Sequence, residues 1–98
     1  MLPSAKEALA LELLSSSAEM YGLEMVKASQ GALKRGTVYV MLDRLEDKGF
    51  VISRSEQRPG VAGMPRRLYR ITGLGQRALR ARRSALAIMA KRPMAIAG

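Results

Sequence analysis

Hydrophobic and polar positions alternate along this chain at helical intervals in four stretches and at strand intervals in two. The first stretch, Ser4 to Ser16, places Ala5, Ala8, Leu9, Glu12 and Leu13 at helical spacing, with Leu11 and Leu14 widening the apolar face. Ser4 followed three residues later by Glu7 is a capping-box signal, and the Ser15-Ser16-Ser17 run supplies a stop. A second, shorter helix is expected from Ala18 to Ser29, burying Leu23, Met25 and Val26, with Gly31 as the break. The third helix, Gly36 to Lys48, is the clearest. Val38, Met41, Leu42 and Leu45 share one face, Thr37, Val40, Arg44 and Lys48 the other, and Gly49 is placed to close it in a left-handed cap.

Beyond Gly49 the period changes. Phe50 to Ser55 reads as a strand, Arg58 to Pro65, with two Gly and two Pro, as a loop, and Arg67 to Thr72 as the returning strand. On that strand Tyr69 and Ile71 are expected on one face, Leu68 and Arg70 on the other. Thr72 can cap a fourth helix, Gly73 to Lys91, whose Leu74, Ala78, Ala81, Ala85 and Ile88 follow heptad spacing beside Leu79, Leu86 and Met89. Residues from Pro93 read as a loose tail. The order helix, helix, helix, hairpin, helix is that of a winged helix-turn-helix: mainly α with a small β-hairpin. Residues 1–72 would form the DNA-binding domain, 73–92 a C-terminal dimerisation helix and 93–98 the tail.

Charge sharpens this picture. The 98 residues hold 17 Lys and Arg against 8 Asp and Glu, for a net charge of +9. Residues 1–33 contribute two lysines and four glutamates, whereas every residue after Glu56 that carries charge is basic. A surface of one sign repels itself and is best tolerated where phosphates neutralise it. There is no Cys and no His, which removes thiolate and imidazole metal ligands and the commonest general base. No cofactor or metal is expected, and no carboxylate pair or activated nucleophile suggests an enzyme. The chain has no apolar run near the ~20 residues that cross a bilayer. The opening residues lack the basic start of a signal peptide, so a soluble, cytoplasmic, nucleoid-associated protein with no membrane partner is expected.

Three segments carry a resemblance to a known family. Tyr21-Gly22-Leu23-Glu24-Met25-Val26, the run from Gly36-Thr37-Val38-Tyr39 to Lys48-Gly49-Phe50-Val51, and Gly63-Met64-Pro65-Arg66-Arg67-Leu68-Tyr69-Arg70-Ile71-Thr72 followed by Gly75 resemble the PadR family of bacterial transcriptional regulators. The resemblance implies a dimeric, repressor-type DNA-binding protein. Its third helix would enter the major groove, its wing would touch the flanking backbone, and its last helix would cross onto the partner. By that likeness Tyr39 reaches the backbone with Thr37 beside it, Gly63 and Pro65 shape the wing, and Arg66 and Arg67 are its basic pair. This chain departs from the family pattern in having Lys34-Arg35 where a small cap and a proline usually stand, and Met64 where the wing is usually basic or polar. It also stops after one helix, like short-tailed members. Some of those bind flat ligands between aromatic residues, but with no Trp and one Phe this chain does not indicate a small-molecule effector.

The expected DNA contacts are therefore Lys34, Arg35, Thr37, Tyr39, Val40, Arg44, Gly63, Arg66 and Arg67. Val40 suits a thymine methyl, and Arg44 lies on the stripe facing the groove. Tyr69 is read as core and Tyr21 as either packing or phosphate contact. The expected homodimer interface comprises Leu9 and Leu13 with Leu79, Leu86, Ile88 and Met89, since an apolar stripe left bare is a liability. Double-stranded DNA is the expected partner, bound at a near-palindromic site. The competing readings are a winged-helix protein-interaction adaptor and a non-specific, architectural nucleic-acid binder. The latter is weakened by a shortage of aromatic stacking platforms.

Overall fold

A computed structural model describes residues 2–56 and 66–91. The chain runs α1 (Ala5–Ser15), β1 (Met20–Tyr21), α2 (Gly22–Ala28), α3 (Val38–Asp47), β2 (Val51–Glu56), β3 (Arg66–Ile71) and α4 (Gly73–Ala90). β3 is the centre of a three-stranded antiparallel sheet in the order β1-β3-β2, with Val51 opposite Ile71 and Glu56 opposite Arg66. Four helices and this small sheet make a winged helix-turn-helix. The wing loop expected over Arg58 to Pro65, with Gly63 and Met64, and the tail from Pro93 lie outside the described residues.

The helix ends form where the sequence signals them. Ser4 Oγ accepts the Glu7 N–H at 3.2 Å while Glu7 Oε1 accepts the Ser4 N–H at 2.9 Å, a complete capping box. Thr72 Oγ1 accepts the Gly75 N–H at 3.0 Å and starts α4. Gly49 ends α3 at φ 79°, the left-handed geometry that glycine adopts without a side-chain penalty.

The core follows the expected face on α3, whereas on α1 it is centred on Leu11 and Leu14, expected only to widen the apolar face, while Ala5 and Glu12 are exposed and Leu9 and Leu13 half-buried. Leu11 and Leu14 of α1, Val38, Leu42 and Leu45 of α3, and Val51 of β2 are all at or below 1% exposed. Met20, Met25, Leu33, Phe50, Tyr69 and Leu79 complete the cluster, with Met41 packed at its edge. α1 lies against both α4 and β3. Removing ~25 cal/mol of unfavourable hydration per Å² of apolar surface makes this cluster the main source of stability.

Several expectations give way. The second helix begins at Gly22, not Ala18, because Met20 and Tyr21 pair with Tyr69 and Leu68 as a strand. Leu23 is 43% exposed rather than buried, since the seven-residue α2 turns Met25 inward and leaves Leu23 on the outer side. Leu68 is buried although it faces away from the main core, covered on the far face of the sheet. Leu79, expected in a subunit interface, is 2% exposed inside the monomer core, because this part of α4 packs onto α1. Leu9 and Leu13 are half-buried against the same core.

Gly75 marks the tightest contact. A Cβ built there would lie 2.1 Å from the Phe50 carbonyl oxygen, a backbone atom that no rotamer change can move. The same turn is tied by Thr72, whose hydroxyl donates to the Gly49 carbonyl at 2.6 Å and whose N–H donates to the Phe50 carbonyl at 3.0 Å. Helix propensity alone would make Gly75→Ala stabilising by up to ~1 kcal/mol. Overpacking reverses the sign: Gly75→Ala is expected to destabilise the fold by ~2 kcal/mol or more in urea denaturation. Gly36→Ala, with nothing within 4 Å, should change stability little.

Candidate nucleic-acid interface

α3 turns Val38, Leu42 and Leu45 into the core and thereby presents the rest of its circumference outward. Thr37, Tyr39, Val40 and Arg44 are all exposed, Val40 at 54% and Tyr39 at 44%. A β-branched apolar side chain more than half in water at the centre of a helix face contributes nothing to the monomer core. Thr37 is the N-cap residue but makes no side-chain cap; the Lys34 carbonyl instead accepts the N–H groups of Thr37 and Val38 at 3.1 and 2.9 Å. Lys34 and Arg35 flank this end, exposed and with no hydrogen bond or ion pair from their side chains to a described residue.

Two depressions border α3. On the side of α2 and the hairpin lies a groove of about 770 Å³, walled by Tyr21, Lys27, Arg35, Tyr39, Arg66 and Arg67. On the side of α1 lies a smaller one of about 360 Å³, walled by Ser4, Lys6, Lys34, Thr37, Val40 and Arg44. Eight of the nine expected contact residues thus gather around one exposed helix, together with Lys6 and Lys27, which sequence reading passed over. The ninth, Gly63, lies outside the described residues.

The tyrosines divide the work. Tyr39 lies against the start of α2, where a Cβ on Gly22 would come within 2.7 Å of its ring, so only glycine leaves room for this placement. Tyr21 braces the root of the hairpin: its hydroxyl donates to the Glu56 carboxylate, and the Arg66 guanidinium stands 5.2 Å from its ring centre. Tyr69 is core, 2% exposed, and burial pushes its phenol up, aided by the negative charge of Asp43.

Acids of the N-terminal third are each engaged in a bond, and of the four glutamates only Glu24 lines either depression beside α3. Glu7 accepts from Lys48 Nζ at 2.8 Å; burial pushes its carboxyl up, but the bonds from Lys48 and Ser4 outweigh that and hold it below the ordinary value. Arg54 meets Glu19 through two bonds of 2.8 and 2.9 Å, Glu24 accepts the Tyr21 N–H at 2.7 Å, and Glu12 faces Arg83. Asp43 and Asp47 remain exposed on α3, in its middle and at its C-terminal end, leaving the N-terminal end bare of acid.

One carboxylate inside the motif has a structural task. Glu46 of α3 accepts both the Ser53 N–H at 3.1 Å and the Ser53 hydroxyl at 2.9 Å, and Ser53 Oγ in turn accepts from Arg67 at 3.0 Å. This chain of bonds ties the hairpin to the third helix. Its only sequence signal is the seven-residue separation of Glu46 and Ser53 across the Gly49 turn.

An exposed third helix beside a basic hairpin is the arrangement of a winged helix-turn-helix. The chain belongs to the PadR-like family of transcriptional regulators, whose family model matches residues 10–81. Solved structures share the fold. A PadR family transcription regulator from Clostridium difficile R20291 is 24% identical with a TM-score of 0.76, covering 97% of this chain and 100% of that one. A PadR family transcriptional regulator from Eggerthella lenta DSM 2243 is 28% identical with a TM-score of 0.70, covering 87% and 77%. Bacillus subtilis PadR, solved in complex with operator DNA, is 20% identical with a TM-score of 0.70; the match covers 79% of this chain and 45% of that protein. No curated protein matches the sequence. No helix among the described residues is long and apolar enough to cross a membrane.

Glu46→Ala should leave the Ser53 N–H without its acceptor and release Arg67. The expected cost is ~1–2 kcal/mol in denaturant unfolding. Amide exchange should quicken at Ser53 while core amides of α1, such as Leu11, keep their relative protection.

Proposed function

We propose that the protein is a homodimeric, sequence-specific regulator of transcription that binds a near-palindromic double-stranded operator and represses from it. The observation that carries this reading is the exposed Thr37, Val40 and Arg44 stripe on a helix bordered by the uncommitted cations Lys34 and Arg35. A B-DNA major groove admits one α-helix, and side chains at its N-terminal end reach base edges. Arg44 is suited to a guanine edge and Val40 to a thymine methyl. Lys34, Arg35, Arg66 and Arg67 would contact phosphates, and Tyr39 the backbone beside them. Residues 1–72 serve as the DNA-binding domain in this reading.

The dimer rests on the second half of α4. Leu86 is 44% exposed, Ile88 69% and Met89 65%, in a helix whose small alanines let another helix come close. Residues 73–92 act as the dimerisation helix, with Leu9 and Leu13 of α1 at its margin, while Leu79 stays in the monomer core. A two-fold axis through this helix would place two copies of α3 about one DNA turn, ~34 Å, apart. Occupying an operator that overlaps a promoter is the simplest route from such binding to repression, and a bacterial-type cytoplasmic setting follows from it.

Selection of bound fragments from a random duplex pool tests the reading. An inverted repeat with half-sites about one helical turn apart is the expected outcome, and retention without any enriched motif would overturn sequence specificity. Arg44→Ala should relax preference at one base position by ~1–3 kcal/mol, whereas Lys34→Gln should weaken all sequences alike. Light scattering should give the mass of a dimer at micromolar concentration; a monomer there would overturn the two-fold arrangement.

A further inference from the structure

The 34 residues before Arg35 look unpromising for a polyanion, since four glutamates outnumber three lysines there. Their fold changes that balance. Glu7, Glu12, Glu19 and Glu24 are each bonded to a cation or to a backbone N–H, whereas Lys6 makes no hydrogen bond or ion pair with any described residue. Lys6 is exposed, and it stands in the depression between the first turn of α1 and the outer side of α3, in the company of Lys34, Thr37, Val40 and Arg44.

Its position is held from both ends. The Glu7 carboxylate next to it joins the start of α1 to Lys48 at the end of α3, at 2.8 Å. The Pro3 carbonyl just before the helix accepts from Arg82 Nε of α4 at 3.0 Å. The first turn of α1 is thus fixed relative to the recognition helix, and a side chain leaving it at residue 6 is delivered to the same place in every molecule. The capping box already engages Ser4 and Glu7, so the end of α1 itself is not what would draw an anion. The lysine is.

We infer that Lys6 is a phosphate-binding residue of the DNA face, gripping the backbone on the side of α3 opposite the hairpin. This rests on the reading of α3 as the groove-entering helix and extends it. The hairpin arginines lie on one flank of that helix, and without Lys6 the other flank would hold its strand only through Lys34, in the turn before α3, and Arg44 on it. With it, the strand on that flank is also met by a cation from a separate helix, as the hairpin meets the other. The spacing of the chain gave no hint of this, because residues 6 and 44 come to one depression only in the folded chain, where Glu7 is tied to Lys48.

The test is a salt series of equilibrium binding to a labelled duplex, with wild type, Lys6→Gln, Lys6→Arg and, as a control on the face of β3 turned away from α3, Arg70→Gln. A side chain contacting one phosphate per subunit contributes ~0.9 to the slope of log K against log salt, so Lys6→Gln should flatten the slope by about that much for each subunit engaged. At moderate salt the loss in affinity should be roughly fivefold per contact. Lys6→Arg should keep the wild-type slope, and Arg70→Gln should leave both slope and affinity unchanged. An exposed lysine near a helix start is no support to that helix, so Lys6→Gln should melt no lower than wild type. A Lys6→Gln protein whose salt slope and affinity match wild type overturns the inference while leaving α3 as the reading helix. A wild-type chain that no duplex retains overturns the DNA reading itself, and Lys6 with it.

Discussion

Four elements meet where Gly75 passes under the Phe50 carbonyl. The end of α3, the start of β2, the end of β3 and the start of α4 all lie within the bonds that Thr72 makes to Gly49 and Phe50. A backbone-to-backbone approach this close admits no side chain, so the angle between α4 and the α3–β2 turn is set by the main chain rather than by packing that could relax. The junction fixes where the hairpin leaves α3 and in which direction α4 departs.

Around the junction, electrostatics sorts the surface. Buried or half-buried carboxylates act as ties: Glu7 to Lys48 joins α1 to α3, and Glu46 to Ser53 joins α3 to the hairpin. Each tie uses an acid that would otherwise weaken the field of a basic protein near a polyanion. Exposed pairs such as Arg54 with Glu19 add little to stability, because water and salt screen them. Their effect is on distribution: Lys6, Lys27, Lys34, Arg35 and Arg44, which line the two depressions beside α3, make no hydrogen bond or ion pair with a described residue through their side chains. Positive charge is therefore available beside that helix, the condition for salt-sensitive attraction to a polyanion.

How much of this could be read from the chain depends on how local the cause is. The capping box at Ser4 and Glu7, the left-handed Gly49 and the Thr72 cap are each decided within a few residues, and the structure has all three. The buried face of α3 follows from its 3.6-residue period alone. What periodicity misses is set by distant partners. Met20 and Tyr21 look like the first turn of a helix until Tyr69 and Leu68 are there to pair with them. Leu79 and Leu86 carry equal apolar weight at heptad spacing, yet the first is inside the monomer and the second is not, because α1 covers only part of α4. The gathering of Lys6 and Lys27 beside α3 has the same character: their local surroundings are acidic, and only tertiary packing moves them into basic company.

This unequal coverage of α4 has a mechanical consequence. The helix is anchored at one end by Gly75 and Leu79, and at the other it offers Leu86, Ile88 and Met89 to solvent. At 1.5 Å per residue, the step from Gly75 to Ile88 is roughly 20 Å of stiff rod. If a second copy binds the exposed end, the separation of the two recognition helices is decided by the angle at which that rod leaves the junction. An angular change of a few degrees at Gly75 would move the far end by an ångström or more, enough to shift α3 relative to its half-site. In the proposed dimer, the same glycine that lets the monomer close would therefore also set the spacing of the operator it reads.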